Sequence, residues 1–181
     1  MSIALQGYYA IVDVKGSSYD IAVLLRHAGV LLSARPCCLQ LRGKQLGLAS
    51  LCELGHALRP LCKNQRVPLC VNDRLDVALA VEADVVHLGQ KDLPLAEALR
   101  ARAVARAQWL SIGISTHDIE QAKSAAAAGA DYIGLGPVFP TQTKADADAA
   151  VGLVRLEEVA LAVTIPVVAI GGITLDNVAA V

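Results

Sequence analysis

The chain has 181 residues, of which 55% are apolar, 18% charged and 3% aromatic, with a formal net charge of −1. That length suits one domain with a full core, and the near-neutral charge excludes a general electrostatic attraction to nucleic acid or to an anionic membrane surface. The absence of any run of about 18 apolar residues predicts no transmembrane helix.

The N-terminal stretch MSIALQGYYAIVDVK lacks the basic-then-apolar pattern of a signal peptide, so a cytoplasmic protein is the expectation. The five cysteines, Cys37, Cys38, Cys52, Cys62 and Cys70, are odd in number and show no C-x-x-C spacing. They are expected as free thiols packed like small apolar side chains, rather than as a zinc site or a disulfide framework.

In chain order, short β-branched runs alternate with longer Ala/Leu-rich stretches of helical spacing. Strands are predicted at 8–12, 37–41, 67–71, 85–88, 109–114, 132–135 and 167–170. Helices are predicted between them at 19–32, 47–63, 74–81, 95–105, 118–128 and 153–163. Gly129-Ala130-Asp131 reads as a helix end feeding the next strand, and Thr116 or Asp118 as the cap of the helix that follows.

This alternation implies a parallel sheet with right-handed crossovers, an α/β fold of the TIM (β/α)8-barrel type. Only seven strands can be found. The expectation is therefore a single barrel domain over residues 1–181, C-terminally incomplete, with the eighth β/α unit missing. Residues 140–150, rich in Thr, Lys, Asp and Ala, are the least regular and suit an active-site loop.

Polar residues gather where the predicted strands end. Gln40, Arg42 and Lys44 lie at the end of strand two; Asn72 and Asp73 follow strand three; His87, Gln90 and Asp92 lie at or past the end of strand four. Ser115 and His117 come after strand five, Thr141, Thr143 and Lys144 after strand six, and Gly171, Gly172 and Thr174 after strand seven. In a (β/α) barrel these positions share one mouth.

Arg42, Lys44 and Lys144 supply three cations suited to a phosphate ligand. Asp73 and Asp92 would repel each other there unless a cation lay between them. Two carboxylates, phosphate oxygens and water suit Mg²⁺. The competing reading is that both acids cap the helices starting near Arg74 and Leu93-Pro94. Gly171-Gly172 allows a phosphate to approach backbone N–H groups, though glycine pairs are common in turns.

Six segments together resemble the thiamine-phosphate synthase family: Leu39–Lys44, Val71–Arg74, His87–Pro94, Gly113–His117, Tyr132–Lys144 and Ala169–Ile173. The resemblance implies a Mg²⁺-assisted transferase. It would couple hydroxymethylpyrimidine pyrophosphate to thiazole phosphate, with pyrophosphate leaving before the thiazole nitrogen attacks. It also implies that Gln40, Leu41, Arg42, Gly43, Lys44, Asn72, Ser115 and Lys144 hold the pyrimidine pyrophosphate. Thr141, Gln142 and Thr143, with Gly171 and Gly172, would hold the thiazole phosphate, and Asp73 and Asp92 the metal. Arg42, Lys44, Ser115 and Lys144 are the expected catalytic residues.

Expected partners are these small molecules, not nucleic acid or membrane, with a homo-oligomer left open. Family members carry an eighth strand whose turn adds phosphate-binding groups and a Ser, both absent from this sequence. Two alternatives accompany the main reading: a metal-free thiazole phosphate tautomerase-like isomerase, and a truncated barrel that binds phosphate ligands without turnover.

Overall fold

The computed structural model describes residues 5–141 and 149–181. Gln142, Thr143, Lys144 and most of the predicted loop lie outside the described residues. Seven strands alternate with six helices: β1 (Tyr9–Asp13), α1 (Ile21–Ser33), β2 (Cys38–Arg42), α2 (Leu48–Gln65), β3 (Leu69–Asn72), α3 (Leu75–Ala80), β4 (Val85–Leu88), α4 (Leu95–Val104), β5 (Ser111–Thr116), α5 (Ile119–Ala127), β6 (Tyr132–Leu135), α6 (Gly152–Ala162) and β7 (Val167–Ala169). All strands are parallel, and each pairs with the next in chain order. Each predicted strand and helix coincides with one of these to within a few residues.

The strands separate two environments. Leu39, Leu41, Leu69, Val71, Val86, Leu88, Ile112, Ile133 and Leu135 pack into one cluster with helix residues such as Leu32, Leu54 and Leu58. Alternate positions point to the opposite face, where Cys38, Cys70, Val85 and Tyr132 form a second cluster with Tyr9 and Val168. Buried parallel strands are apolar on both sides for this reason.

That second face curls inward. In a flat sheet β1 and β6 would stand roughly 24 Å apart, five inter-strand steps. Instead the rings of Tyr9 and Tyr132 have centroids 6.4 Å apart, and their hydroxyls lie 3.2 Å from each other. The sheet is thus a curled half-barrel, with its inner face filled by side chains. Gly113 makes room for this contact, because a Cβ there would meet the Tyr132 ring at 2.1 Å.

The N-terminal ends of the strands are held by a repeated clamp. Asp84, just before β4, accepts the Leu69 N–H of β3 at 2.9 Å and Arg59 of α2 at 2.5 Å. Asp131, just before β6, likewise accepts the Ile112 N–H of β5 at 2.8 Å and Arg102 of α4 at 2.8 Å. Both clamps sit at the rim opposite the polar strand ends, where they serve stability.

Asp118 caps α5 by accepting the Gln121 N–H at 2.7 Å, while Thr116 is fully buried and donates to the Gly134 carbonyl at 3.1 Å. Of the two predicted caps, Asp118 therefore serves. The five cysteines are free, as expected. No helix among the described residues is long and apolar enough to cross a membrane.

Replacing Asp131 with Ala leaves the Ile112 N–H and the Arg102 guanidinium without their shared acceptor, so a loss of about 1–3 kcal/mol is expected. A lowered urea midpoint with an unchanged slope would show it.

Candidate active site

At the C-terminal rim, β2 ends on Arg42. Its guanidinium donates to Asp13 at the end of β1 at 2.5 Å, both side chains being largely buried. The Val14 N–H also donates to the Arg42 carbonyl at 2.7 Å. Asp13 was not among the sequence candidates. The rule that selected the others, a polar residue at or just past the end of a predicted strand, would have found it.

Gly43 and Lys44 continue from β2 and, with Asn72, Asp73 and Arg74, line a recess of about 160 Å³. A Cβ at Gly43 would meet the Leu46 side chain at 2.7 Å, so the turn packs tightly there. The Leu41 side chain faces the helices and is 1% exposed, so only its backbone is available on the rim side.

Asp73 follows β3 in a left-handed conformation, φ +64°, and its N–H donates to the His87 carbonyl at 2.8 Å. Asp92 folds back within its own loop and accepts the Gly89 N–H at 2.6 Å. Neither acid caps a helix. The cap positions of α3 and α4 are Arg74 and Pro94, and neither makes a side-chain cap hydrogen bond.

The two carboxyls instead meet each other. Burial and the hydrogen bond and repulsion from Asp92 push Asp73 up to about 6, against the pull of Lys44 and Arg42. Two acids and two bases thus share one small region. Among the described residues no third His, Cys, Asp or Glu joins the pair to complete a metal cage. Two carboxylates with one side left to ligand oxygens and water fit the donor set of Mg²⁺.

Deeper on the inner face, Gln40 is 4% exposed and donates to the Tyr9 hydroxyl at 3.0 Å. His87 lies between the Tyr132 hydroxyl, 2.9 Å from Nδ1, and the Ser115 hydroxyl, 2.9 Å from Nε2. Gln90 donates to the Ser115 carbonyl. His117 Nδ1 donates to the Gly136 carbonyl at 2.7 Å, tying the ends of β5 and β6 together.

Gly171 and Gly172 contact the loop after β6 rather than the Arg42–Asp73 group. Both have positive φ, +96° and +66°, and a Cβ on either would strike Pro137 or the Phe139–Pro140 backbone below 3 Å. Close packing alone requires glycine at both positions. Thr141 is the last residue described before position 142 and is partly exposed.

Fold and rim together define a parallel α/β half-barrel with cations and carboxylates gathered at its C-terminal strand ends. The chain belongs to the thiamine monophosphate synthase family, whose family model matches residues 8–181. It is 47% identical to a thiamine-phosphate synthase of Halalkalibacterium halodurans over 77% of this chain and 64% of that protein. It is 42% identical to one of Roseiflexus castenholzii over 96% of this chain and 73% of that protein. The chain thus spans somewhat under two thirds to about three quarters of these relatives' length.

A thiamine phosphate pyrophosphorylase from Pyrococcus furiosus superposes with a TM-score of 0.78 at 35% identity, covering 94% of this chain and 77% of that one. An N-acetylmannosamine-6-phosphate 2-epimerase from Clostridium perfringens, 12% identical with a TM-score of 0.59 over 88% of this chain and 73% of that one, shares the fold alone.

The raised Asp73 carboxyl has a definite sign in stability. The folded, metal-free protein holds this proton more tightly than the unfolded chain does. The charged form therefore costs stability above about pH 6, and the cost fades as pH falls towards the ordinary carboxylate range. Asp73→Asn should gain stability over the parent in metal-free buffer near pH 7 and lose that advantage near pH 4, read as urea midpoints at each pH.

Proposed function

We propose that this chain carries the catalytic rim of a thiamine-phosphate synthase. The reaction joins hydroxymethylpyrimidine pyrophosphate to thiazole phosphate and releases pyrophosphate, giving thiamine phosphate. The observation that carries the reading is the meeting of Asp73 with Asp92 beside Arg42 and Lys44. Family membership supports it independently.

In this reading Arg42, Lys44, Asn72, Ser115 and Lys144 hold the pyrophosphate, and Gln40 faces the pyrimidine, with the Leu41 and Gly43 backbone beside it. Asp73 and Asp92 hold Mg²⁺, which supplies positive charge to the departing pyrophosphate oxygens. Arg42 and the lysines stabilise the same developing charge from fixed positions. Asp13 keeps the Arg42 fork oriented before substrate arrives.

Departure leaves a cation on the pyrimidine methylene carbon, stabilised by the electron-rich aminopyrimidine. The thiazole nitrogen captures it. That nitrogen carries no proton, so no general base is required. Thr141, Gln142 and Thr143, with the Gly171-Gly172 turn, hold the thiazole phosphate close to the reacting carbon. A metal-free isomerase would leave the Asp73–Asp92 pair without a task.

The same reading extends the half-barrel to a (β/α)8 barrel, with an eighth β/α unit between β7 and β1, the two edges of the sheet. A cytoplasmic enzyme acting on small molecules follows from it.

The test is a coupling assay that follows pyrophosphate release with both substrates, with and without Mg²⁺. Release should require both substrates and the metal. Asp73→Ala and Asp92→Ala should each abolish it, and Arg42→Ala or Lys144→Ala should lower kcat by about 10²–10³. Unimpaired turnover in either aspartate variant would overturn the metal assignment. Pyrophosphate binding without coupling would instead support a phosphate-binding barrel.

A further inference from the structure

We infer that Tyr9, Tyr132 and His87 form a one-way hydrogen-bond relay that fixes the Ser115 hydroxyl as a donor towards the bound pyrophosphate. The inference rests on the synthase reading for the identity of the ligand. The relay itself rests on the inner-face geometry.

The direction is assigned from the Gln40 end, whose amide nitrogen can only donate. Gln40 Nε2 is a donor only, and it lies 3.0 Å from Tyr9 Oη, so Tyr9 accepts there and has its own proton to pass on. The neighbouring Cys70 sulfur also lies 3.7 Å from Gln40 Nε2, while its thiol points at the Val71 carbonyl, so the sulfur acts as an acceptor too. Tyr9 Oη stands 3.2 Å from Tyr132 Oη, which in turn stands 2.9 Å from His87 Nδ1.

With each hydroxyl donating forward, Nδ1 accepts and the imidazole proton sits on Nε2. Nε2 lies 2.9 Å from Ser115 Oγ and donates to it. The serine oxygen is then already an acceptor, and its own proton is left to point at a ligand. An anion rewards a hydroxyl in that orientation and penalises the reverse.

The fold makes space for these rings. Gly113 and Gly134 are the pairing partners of Tyr132 and Ser115 across β5 and β6. A Cβ on Gly113 would strike the Tyr132 ring, and one on Gly134 would press on His87 Cε1 at 3.0 Å. Two inner-face glycines therefore flank the relay at Tyr132 and His87. Its ends, Gln40 and Ser115, are the residues assigned above to the two ends of one substrate. His87 and both tyrosines are positioning residues, acting through Ser115.

The first arm of the test needs no variant. Long-range ¹H–¹⁵N spectra of the ligand-free protein should show His87 as the Nε2–H tautomer. An Nδ1–H tautomer or an imidazolium would overturn the relay. Tyr132→Phe removes the donor to Nδ1, so the His87 Nδ1 ¹⁵N resonance should move towards that of an unbonded ring nitrogen; an unchanged resonance would count against the relay.

The second arm is calorimetry with inorganic pyrophosphate and Mg²⁺. Tyr132→Phe and Ser115→Ala should each weaken binding roughly 10-fold, as for a charge-assisted hydrogen bond. The double variant should lose no more than either alone, because both act through one hydroxyl. Losses that multiply would overturn the inference, as would a parent protein that does not bind pyrophosphate. A parent with the Nε2–H tautomer and pyrophosphate binding, but no coupling of the two organic substrates, would sink the synthase reading and leave the relay standing.

Discussion

The site depends on the inward curl of a single parallel sheet. Contact between Tyr9 and Tyr132 brings the first strand against the sixth, so strand ends far apart in sequence face a common centre. The hydrophobic effect drives the outer face onto the helices. The inner face has no helix to cover it and must fill itself. Large rings on β1, β4 and β6, opposed by glycines on β5 and β6, solve that volume problem. The polar atoms buried in the process are satisfied by one another: among the described residues no buried side-chain nitrogen or oxygen lacks a partner.

The two rims divide the labour. At the N-terminal rim, Asp84 and Asp131 each join a helix arginine to an N–H near the start of a neighbouring strand, and the charges are neutralised locally. At the C-terminal rim, Asp73 and Asp92 confront each other, and the cost appears as a carboxyl that holds its proton into the range of about 6. A stability-driven sequence would separate these acids or pair each with a base. In the proposed function, bound Mg²⁺ would relieve this confrontation by supplying positive charge.

Much of the fold was legible in the sequence, because β-branched runs and Ala/Leu-rich helical stretches differ in period and length. The strand-end rule also drew Arg42, Lys44, Asp73 and Asp92 towards one mouth, where the structure now gathers them. Less legible was anything decided by side-chain direction. Leu41 sits inside a site motif yet turns its side chain into the helix layer, because alternate strand residues face opposite sides. The competing reading of Asp73 as a helix cap fails because the residue is left-handed and Arg74 takes the cap position of α3. Asp13 met the strand-end rule, but its pairing with Arg42, 29 positions away, is visible only in the fold. His87 was legible only as a polar residue at a strand end. Its two hydroxyl partners come from β5 and β6 and cannot be paired before the sheet is curled.

Gly171 and Gly172 lock the turn after β7 against Pro137, Phe139 and Pro140, and the Val138 and Phe139 N–H groups donate to the Ile170 and Gly171 carbonyls. The base of the long loop is thus secured by residues made more than thirty positions later. During synthesis on a ribosome, the first five strands could assemble and still present an unfinished mouth. The loop base gains its anchor only once residue 172 has emerged, so this side of the mouth is completed after β1 to β6 have all been made.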